Sequence, residues 1–290
     1  MKARALSRGE AFRLLAEELA RLPHIAAPRE HAAFVMEIAA GVKREDAVLE
    51  PHEELDSGAA SRLELVLERA RRGMPLAYAL GEWYFAGRTF FVSESVLIPR
   101  PDTETLCSAS LQFCRSRPGA LRILEVGVGC GASLITLGLE LSGRQASLVG
   151  TDISQDALAV ADTNAARHGV ELELHEGSLL EPLPPDSRFD LIFSNPPYVA
   201  GDGDVDESVR LFEPASAYRV PEGQPGTYFH RRLAGGAHAH LKPGGMLAME
   251  VGCNQAGEVK ELLAGNGFND VTSTPDLSGV QRVVSAIWRG

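Results

Sequence analysis

Cysteine is scarce in this chain and sits nowhere suited to cross-linking. The four that occur, Cys107, Cys114, Cys130 and Cys253, form no CxxC pair and no zinc-type spacing. That pattern indicates free thiols in a reducing compartment rather than a disulfide framework or structural metal. Long apolar runs are missing too. No stretch is long and charge-free enough to cross a bilayer. Met1-Lys2-Ala3-Arg4 leads into a charged amphipathic segment, not a signal-peptide core. A cytoplasmic protein is expected, with no membrane partner. Repeats and low-complexity tracts are absent. No Ser/His/Asp or Cys/His grouping calls for nucleophilic catalysis. His238-Ala239-His240 falls in a predicted helix without metal-ligand spacing, so no metal is expected.

Positive charge is also in short supply. Lys and Arg number 28 against 39 Asp and Glu, a net charge of −11. The first 80 residues are nearly balanced, with 12 basic and 13 acidic side chains, and the remainder carries 16 against 26. A phosphate backbone is held largely by Lys and Arg. Nucleic acid is therefore disfavoured as a partner, and a protein or small molecule is favoured.

The N-terminal part is helical. Apolar residues recur at helical spacing over Leu6–Leu22, a second helix is predicted over Arg29–Ala40 and a third over Ser61–Arg72. Three helices with short connections read as a small bundle over residues 1–74. Residues 75–100, with Glu82–Gly87 followed by the strand formers Arg88–Val92, read as a β-hairpin connector. In Leu97–Glu104 two prolines force an extended path, Asp102 or Thr103 is placed to cap the following helix, and Arg100 stands between the prolines.

Residues 101–290 alternate strand and helix, the signature of an open α/β sheet. Strands are predicted at Leu121–Val126, Ala146–Asp152, Glu171–His175, Phe189–Ser194, Met246–Val251, Val271–Ser273 and Arg282–Ile287. The last two suggest an antiparallel ending. Helices are predicted at Ala132–Leu141, Gln155–Arg167, Thr227–His240 and Ala256–Ala264, with a turn at Lys242–Gly245. Gly201–Asp206 is polar, acidic and expected to be mobile. Ligands of such sheets lie outside the carboxyl ends of the strands. The turn Gly127-Val128-Gly129-Cys130-Gly131, Asp152 and Asn195 should therefore share one crevice.

Two motifs carry chemistry. Gly127-x-Gly129-x-x-Ala132 with Asp152 fits the loose dinucleotide fingerprint, which keeps NAD open. S-adenosylmethionine is favoured, because in the Glu125-x-Gly127-x-Gly129-x-Gly131 run the strand-end acid can face an amino acid portion, and because the second motif has no use in hydride transfer. The second motif, Asn195-Pro196-Pro197-Tyr198, ends a buried strand with two prolines that cannot continue it. An Asn side-chain oxygen beside the Pro196 carbonyl offers two acceptors, enough for both hydrogens of a planar NH2 group. The Tyr198 ring offers a flat surface against it. That suits chemistry on an amide or aryl amine nitrogen and has no role in hydride transfer.

With Pro75-Leu76-Ala77-Tyr78, the Leu97–Glu104 stretch, Phe212-Glu213-Pro214 and the terminal Asp276–Val284, these residues resemble the HemK/PrmC family. Its members are N5-glutamine methyltransferases of peptide chain release factors, and the resemblance covers nearly the whole chain. It implies a Rossmann-like class I methyltransferase with a mainly parallel seven-stranded sheet. The implied reaction carries a methyl group from S-adenosylmethionine to the glutamine amide of a Gly-Gly-Gln loop, leaving S-adenosylhomocysteine. By the same resemblance Gly127, Val128, Gly129, Cys130, Gly131, Ile153, Ser178 and Leu179 join Glu125 and Asn195 around the cofactor. Asp152 holds its ribose hydroxyls. Asn195, Pro196, Pro197 and Tyr198 grip the glutamine amide, with Arg100 also on the substrate side, and the N-terminal helices help dock the release factor. Ser178 stands where an acidic residue is frequent, Leu179 where an aromatic is, and residues 219–226 replace a usual glycine-and-aspartate turn. A different amide or amine acceptor of the same kind of enzyme is the alternative. A monomer is expected.

Overall fold

The computed structural model describes residues 6–201 and 205–290. The start of the chain at Met1–Arg4 and half of the acidic Gly201–Asp206 segment, residues 202–204, lie outside the described residues. The described chain divides into two compact units, one running to Trp83 and taking in Glu207–Phe212, the other holding the rest.

The first unit is helical. It comprises α1 (Arg8–Leu19), α2 (Pro28–Ala40), α3 (Arg44–Leu49), α4 (Ser57–Arg71) and α5 (Leu76–Leu80). Ser7 starts α1 with a reciprocal capping box. Its hydroxyl accepts from the Glu10 N–H at 3.3 Å, and the Glu10 carboxylate accepts from the Ser7 N–H at 3.2 Å. Pro28 starts α2 where a missing N–H costs nothing, and Gly41 ends it with φ +67°. Leu15, Leu19, Val35, Met36, Leu63 and Leu67 form its core. Each such fully buried side chain contributes roughly 1.5–3 kcal/mol. Two expectations change here. A further helix, α3, precedes α4, and residues 76–80, read with the hairpin, are helical. The paired strands are confined to β1 (Glu82–Phe85) and β2 (Arg88–Phe91).

The second unit is the α/β sheet. In chain order it runs α6 (Thr103–Ser116), β3 (Leu121–Val126), α7 (Ala132–Glu140), β4 (Ala146–Asp152), α8 (Gln155–His168), β5 (Glu173–Glu176) and β6 (Phe189–Ser194). The helix α9 (Glu207–Phe212), which belongs to the first unit, then precedes α10 (Ala215–Tyr218) and α11 (Tyr228–Gly236). The closing elements are β7 (Leu241–Glu250), α12 (Ala256–Gly265), β8 (Asn269–Pro275) and β9 (Gln281–Trp288). Among the described residues the sheet has seven strands in the order β5-β4-β3-β6-β7-β9-β8. The first five are parallel and β9 is antiparallel to both its neighbours, as the predicted ending requires. The strand order reverses between β3 and β6, which opens a crevice at their carboxyl ends.

Side-chain alternation places the two faces. Leu124, Val126, Val149, Leu247 and Met249 pack with Leu233 and Ala234 of α11 and Val259 and Leu263 of α12. Glu125 points the other way, to the start of α7. The predicted turn at Lys242–Gly245 lies inside β7. Phe189 pairs with Leu241 and Leu191 with Met246, so the extra residues are extruded as a bulge while the strand continues. His238 lies in a short 3₁₀ turn, Ala237–Ala239, against Trp288. Among the described residues no His, Cys, Asp and Glu cluster has metal-holding geometry, and no helix is long and apolar enough to cross a membrane.

Candidate active site

The glycine turn after β3 is shaped by its backbone. Gly127, Gly129 and Gly131 have φ of +74°, +53° and +79°, a region that L side chains rarely adopt. At Gly127 and Gly129 an added Cβ would meet nothing within 4 Å, so the restriction is conformational. At Gly131 it would come within 3.0 Å of Ile135, so crowding adds to it. The turn is tied down from three sides. The Gly127 and Val128 N–H groups donate to Thr151 at 2.8 and 3.0 Å. Asp152 Oδ2 accepts from the Gly129 N–H at 2.9 Å. Asn164 of α8 donates to the Cys130 carbonyl at 2.8 Å while pairing with both backbone groups of Phe91.

Two carboxyl groups flank this turn. Glu125, at 3% exposure, accepts from the Leu134 N–H at 3.0 Å. Its burial pushes its pKa well above the usual carboxylate range, against the pull of that hydrogen bond. Asp152 is also raised by burial and held back by backbone donors, including Ser154 at 3.0 Å. Hydroxyl and ammonium donors would find acceptors in this pair.

The Asn195–Tyr198 stretch leaves β6 at the same edge. Ser194 donates to the Val126 carbonyl at 2.7 Å, locking the two strand ends together. The segment beyond is clamped by its neighbours. Tyr198 and Val199 donate to the Tyr218 carbonyl, and Val220 donates back to Val199. Gln255 accepts from the Gly252 N–H at 2.9 Å and donates to the Tyr198 carbonyl at 3.1 Å. The Tyr198 hydroxyl donates to Glu250 at 3.5 Å, and buried His230 donates from Nε2 to the Glu250 carbonyl at 2.7 Å.

A cavity of about 500 Å³ runs along this edge. Arg100, Glu125, Gly127, Val128, Gly129, Cys130, Asp152, Ile153, Ser178, Leu179, Asn195 and Pro197 all line it. Gly131, Pro196 and Tyr198 lie outside its wall. Gly131 packs inward on α7 and α8, and the Tyr198 ring lies against Gly252, its hydroxyl turned to Glu250. Leu179 is held at φ +53°, its carbonyl accepting from Thr151 at 2.9 Å. Arg100 pairs with Glu213, whose other oxygen accepts from the Ile98 N–H at 3.1 Å.

Sequence reasoning passed over several lining residues. Phe85 from the hairpin and Phe229 from α11 supply aromatic surface where Leu179 supplies none. Helical spacing gives no sign of which face of α11 meets a cavity, and Phe229 follows the Pro225-Gly226 pair by three residues without any local mark of its role. The capping role expected of Asp102 or Thr103 is not realised. Asp102 sits at the N-cap position without a cap bond, and its carboxylate pairs with Arg282 at 3.1 Å. Thr103 lines the cavity and accepts from the Asn195 side-chain nitrogen at 3.1 Å.

The architecture has known relatives. A family model described as PrmC N-terminal domain matches residues 10–81, and one described as methyltransferase small domain matches residues 120–234. The release factor glutamine methyltransferase of Geobacter sulfurreducens is 42% identical over 222 residues, 76% of this chain and 75% of that protein. The chain belongs to the HemK/PrmC family of release factor glutamine methyltransferases. Another family member, from Koribacter versatilis, is 36% identical over 260 residues, 89% of this chain and 90% of that protein. The fold reaches beyond the family. The T. thermophilus 16S rRNA N2 methyltransferase RsmC, solved with AdoMet and guanosine, aligns with a TM-score of 0.50 at 16% identity, over 72% of this chain and 50% of that one. The sheet is thus that of a class I methyltransferase.

Proposed function

We propose that this enzyme methylates the side-chain amide nitrogen of the glutamine in the Gly-Gly-Gln loop of peptide chain release factors, with S-adenosylmethionine as methyl donor. The observation that carries this reading is convergence. The glycine turn, Asp152 and Asn195 come from three different strand ends and line one cavity. The residues suit the donor. Gly127 and Gly129 leave an open backbone cradle. Glu125 faces the turn for the amino acid portion. Asp152 accepts from the Gly129, Ser154 and Ile153 backbone N–H groups, and the remaining lone-pair capacity of its carboxylate faces the ribose hydroxyls. Ile153, Leu179 and Phe229 supply apolar surface for the base.

When bound, S-adenosylmethionine supplies an electrophilic methyl group on sulfur. The chain's own residues prepare the amide. Asn195 Oδ1, in the cavity wall, accepts one of its N–H bonds, which raises electron density on nitrogen and aims the lone pair, whereas the Pro196 carbonyl expected as the second acceptor lies outside that wall. Pro197 bounds the amide plane from the cavity wall, with Tyr198 behind it holding the segment through Glu250, Arg100 stands on the substrate side, and the N-terminal helices dock the release factor. No strong base is needed before attack, because the nitrogen becomes acidic only as it gains carbon. Orientation and fixed dipoles supply most of the acceleration.

The test is transfer of labelled methyl groups to purified release factor, with ribosomal proteins, DNA and RNA as separate acceptors. Label on release factor that disappears when the Gly-Gly-Gln glutamine is replaced supports the reading. Label confined to another acceptor overturns the substrate and keeps the chemistry.

A further inference from the structure

Asn195 can serve as an acceptor only if its amide presents oxygen, not nitrogen, to the substrate. Nothing in an isolated Asn side chain decides this, since its two ends are nearly equal in size and a half-turn about the last side-chain bond exchanges them. Something in the wall must choose.

Thr103 is placed to choose. It is the first residue of α6, 6% exposed, and it lines the cavity beside Asn195. Its hydroxyl oxygen accepts from the Asn195 nitrogen at 3.1 Å, turning the amide oxygen away from Thr103. A hydroxyl has one hydrogen, so the arrangement holds only if that hydrogen goes elsewhere. Glu250, at 1% exposure, is the group that takes it. The Tyr198 hydroxyl donates to Glu250 Oε1 at 3.5 Å, Glu250 Oε2 is buried without a partner, and hydrogen bonding from Thr103 is among the influences that lower the Glu250 pKa. In its ionised form this carboxylate only accepts, so Thr103 then donates to it and offers Asn195 a lone pair alone. Asn195 must answer with N–H.

We infer that Thr103, backed by the buried Glu250 carboxyl, is a positioning residue that fixes the Asn195 amide with its oxygen toward the substrate nitrogen. The inference rests on the glutamine amide reading above. It assigns Thr103 no contact with the reacting atoms. Arg282 and Asp102 hold the same corner from the other side, through their 3.1 Å ion pair next to Thr103 in the chain.

The test compares Thr103→Val, which keeps shape and loses the acceptor, with Thr103→Ser, which keeps the hydroxyl. Both are made in the full-length enzyme and in an Asn195→Ala background. With labelled S-adenosylmethionine and release factor, T103V should lower kcat roughly 10- to 100-fold, the scale of a misaligned reacting group. Cofactor Kd and release factor KM should stay close to wild type, with Tm lowered by a few degrees for the lost buried hydrogen bond. T103S should restore most of kcat, and T103V should add less than about twofold to the loss already caused by N195A. A T103V enzyme within about twofold of wild type in kcat overturns the inference, as does an equal loss in both backgrounds. Should T103V fail to fold, Thr103→Cys makes the same comparison, because a thiol fills the space and accepts poorly. Wild-type enzyme that binds S-adenosylmethionine yet labels no release factor overturns the substrate reading itself and this inference with it.

Discussion

Asp152 and Gly129 are one unit: the carboxylate at the end of β4 accepts the N–H in the middle of the glycine turn at 2.9 Å. The same side chain therefore shapes the turn and offers acceptors to whatever lies on it. Replacing Asp152 by Ala should raise the S-adenosylmethionine dissociation constant by roughly 10- to 100-fold, the loss of one or two charge-assisted hydrogen bonds. Turnover at saturating cofactor should fall much less. Calorimetric titration settles it, and an unchanged dissociation constant would remove Asp152 from the ribose role.

Asn195 should behave in the opposite way. Asn195→Ala leaves the glycine turn and both carboxyl groups intact, so cofactor binding should stay within a few-fold. It removes an oriented acceptor from the reacting nitrogen, a change of the kind that costs roughly 100- to 1,000-fold in kcat. Single-turnover labelling at saturating cofactor measures this directly. Comparable losses in Kd and kcat would mean that Asn195 is chiefly structural.

Arg100 and Glu213 form a pair with one side in the wall and the other buried. The Glu213 side chain is 1% exposed while that of Arg100 is 38% exposed. Removing Arg100 strands a buried carboxylate with only the Ile98 N–H. Arg100→Ala should destabilise by on the order of 2 kcal/mol, less than a fully buried pair because Arg100 is partly solvated. The double replacement Arg100→Met with Glu213→Gln should recover much of that. Denaturant midpoints of wild type, the Arg100→Ala variant and the double variant decide the matter, and a double variant no more stable than Arg100→Ala would contradict it.

Glu250 links pH to stability. Burial raises its pKa from 4.5 to about 7, opposed by hydrogen bonding from Thr103 and Tyr198 and by the Arg282 charge, with Asp102 acting in the raising direction. The folded carboxyl keeps its proton to higher pH than the unfolded one. Its contribution is therefore complete below about pH 4.5 and is lost as pH rises through about 7. Glu250→Gln lacks this loss. Relative to wild type, the variant should gain roughly 2 kcal/mol between pH 5 and pH 8, given 1.36 kcal/mol per pKa unit. Chemical unfolding at both pH values shows it, and a difference independent of pH would place the folded pKa near 4.5.

Strands were legible where apolar runs are short and bounded. Leu121–Val126, Ala146–Asp152 and Phe189–Ser194 stand as read, because each is buried and closed by a turn residue. β5 begins two residues later than read and β7 starts at Leu241, well before Met246. Lys-Pro-Gly-Gly has turn chemistry wherever it occurs, and only pairing with β6 and β9 shows that it bulges out of a continuing strand. In the site, glycine spacing and the Asn-Pro-Pro-Tyr run announce themselves through backbone chemistry. Thr103 does not. A threonine after Pro-Asp at a helix start has an adequate local explanation, and its actual partner, Asn195, is 92 residues away.

The ion pair from Arg282 to Asp102, with Asp276 also on Arg282 at 3.2 Å, bears on the order in which the protein is made. β9 lies between β7 and β8, so the sheet on that side cannot close until its last strand has been synthesised. A nascent chain that has emerged only through β8 has its glycine turn and Asn195, but Asp102, one residue from Thr103, still lacks its cation. The corner that orients Asn195 is thus finished last. A ribosome-bound chain stalled before Gln281 should be able to gather its cofactor-side strands while its substrate side remains unset.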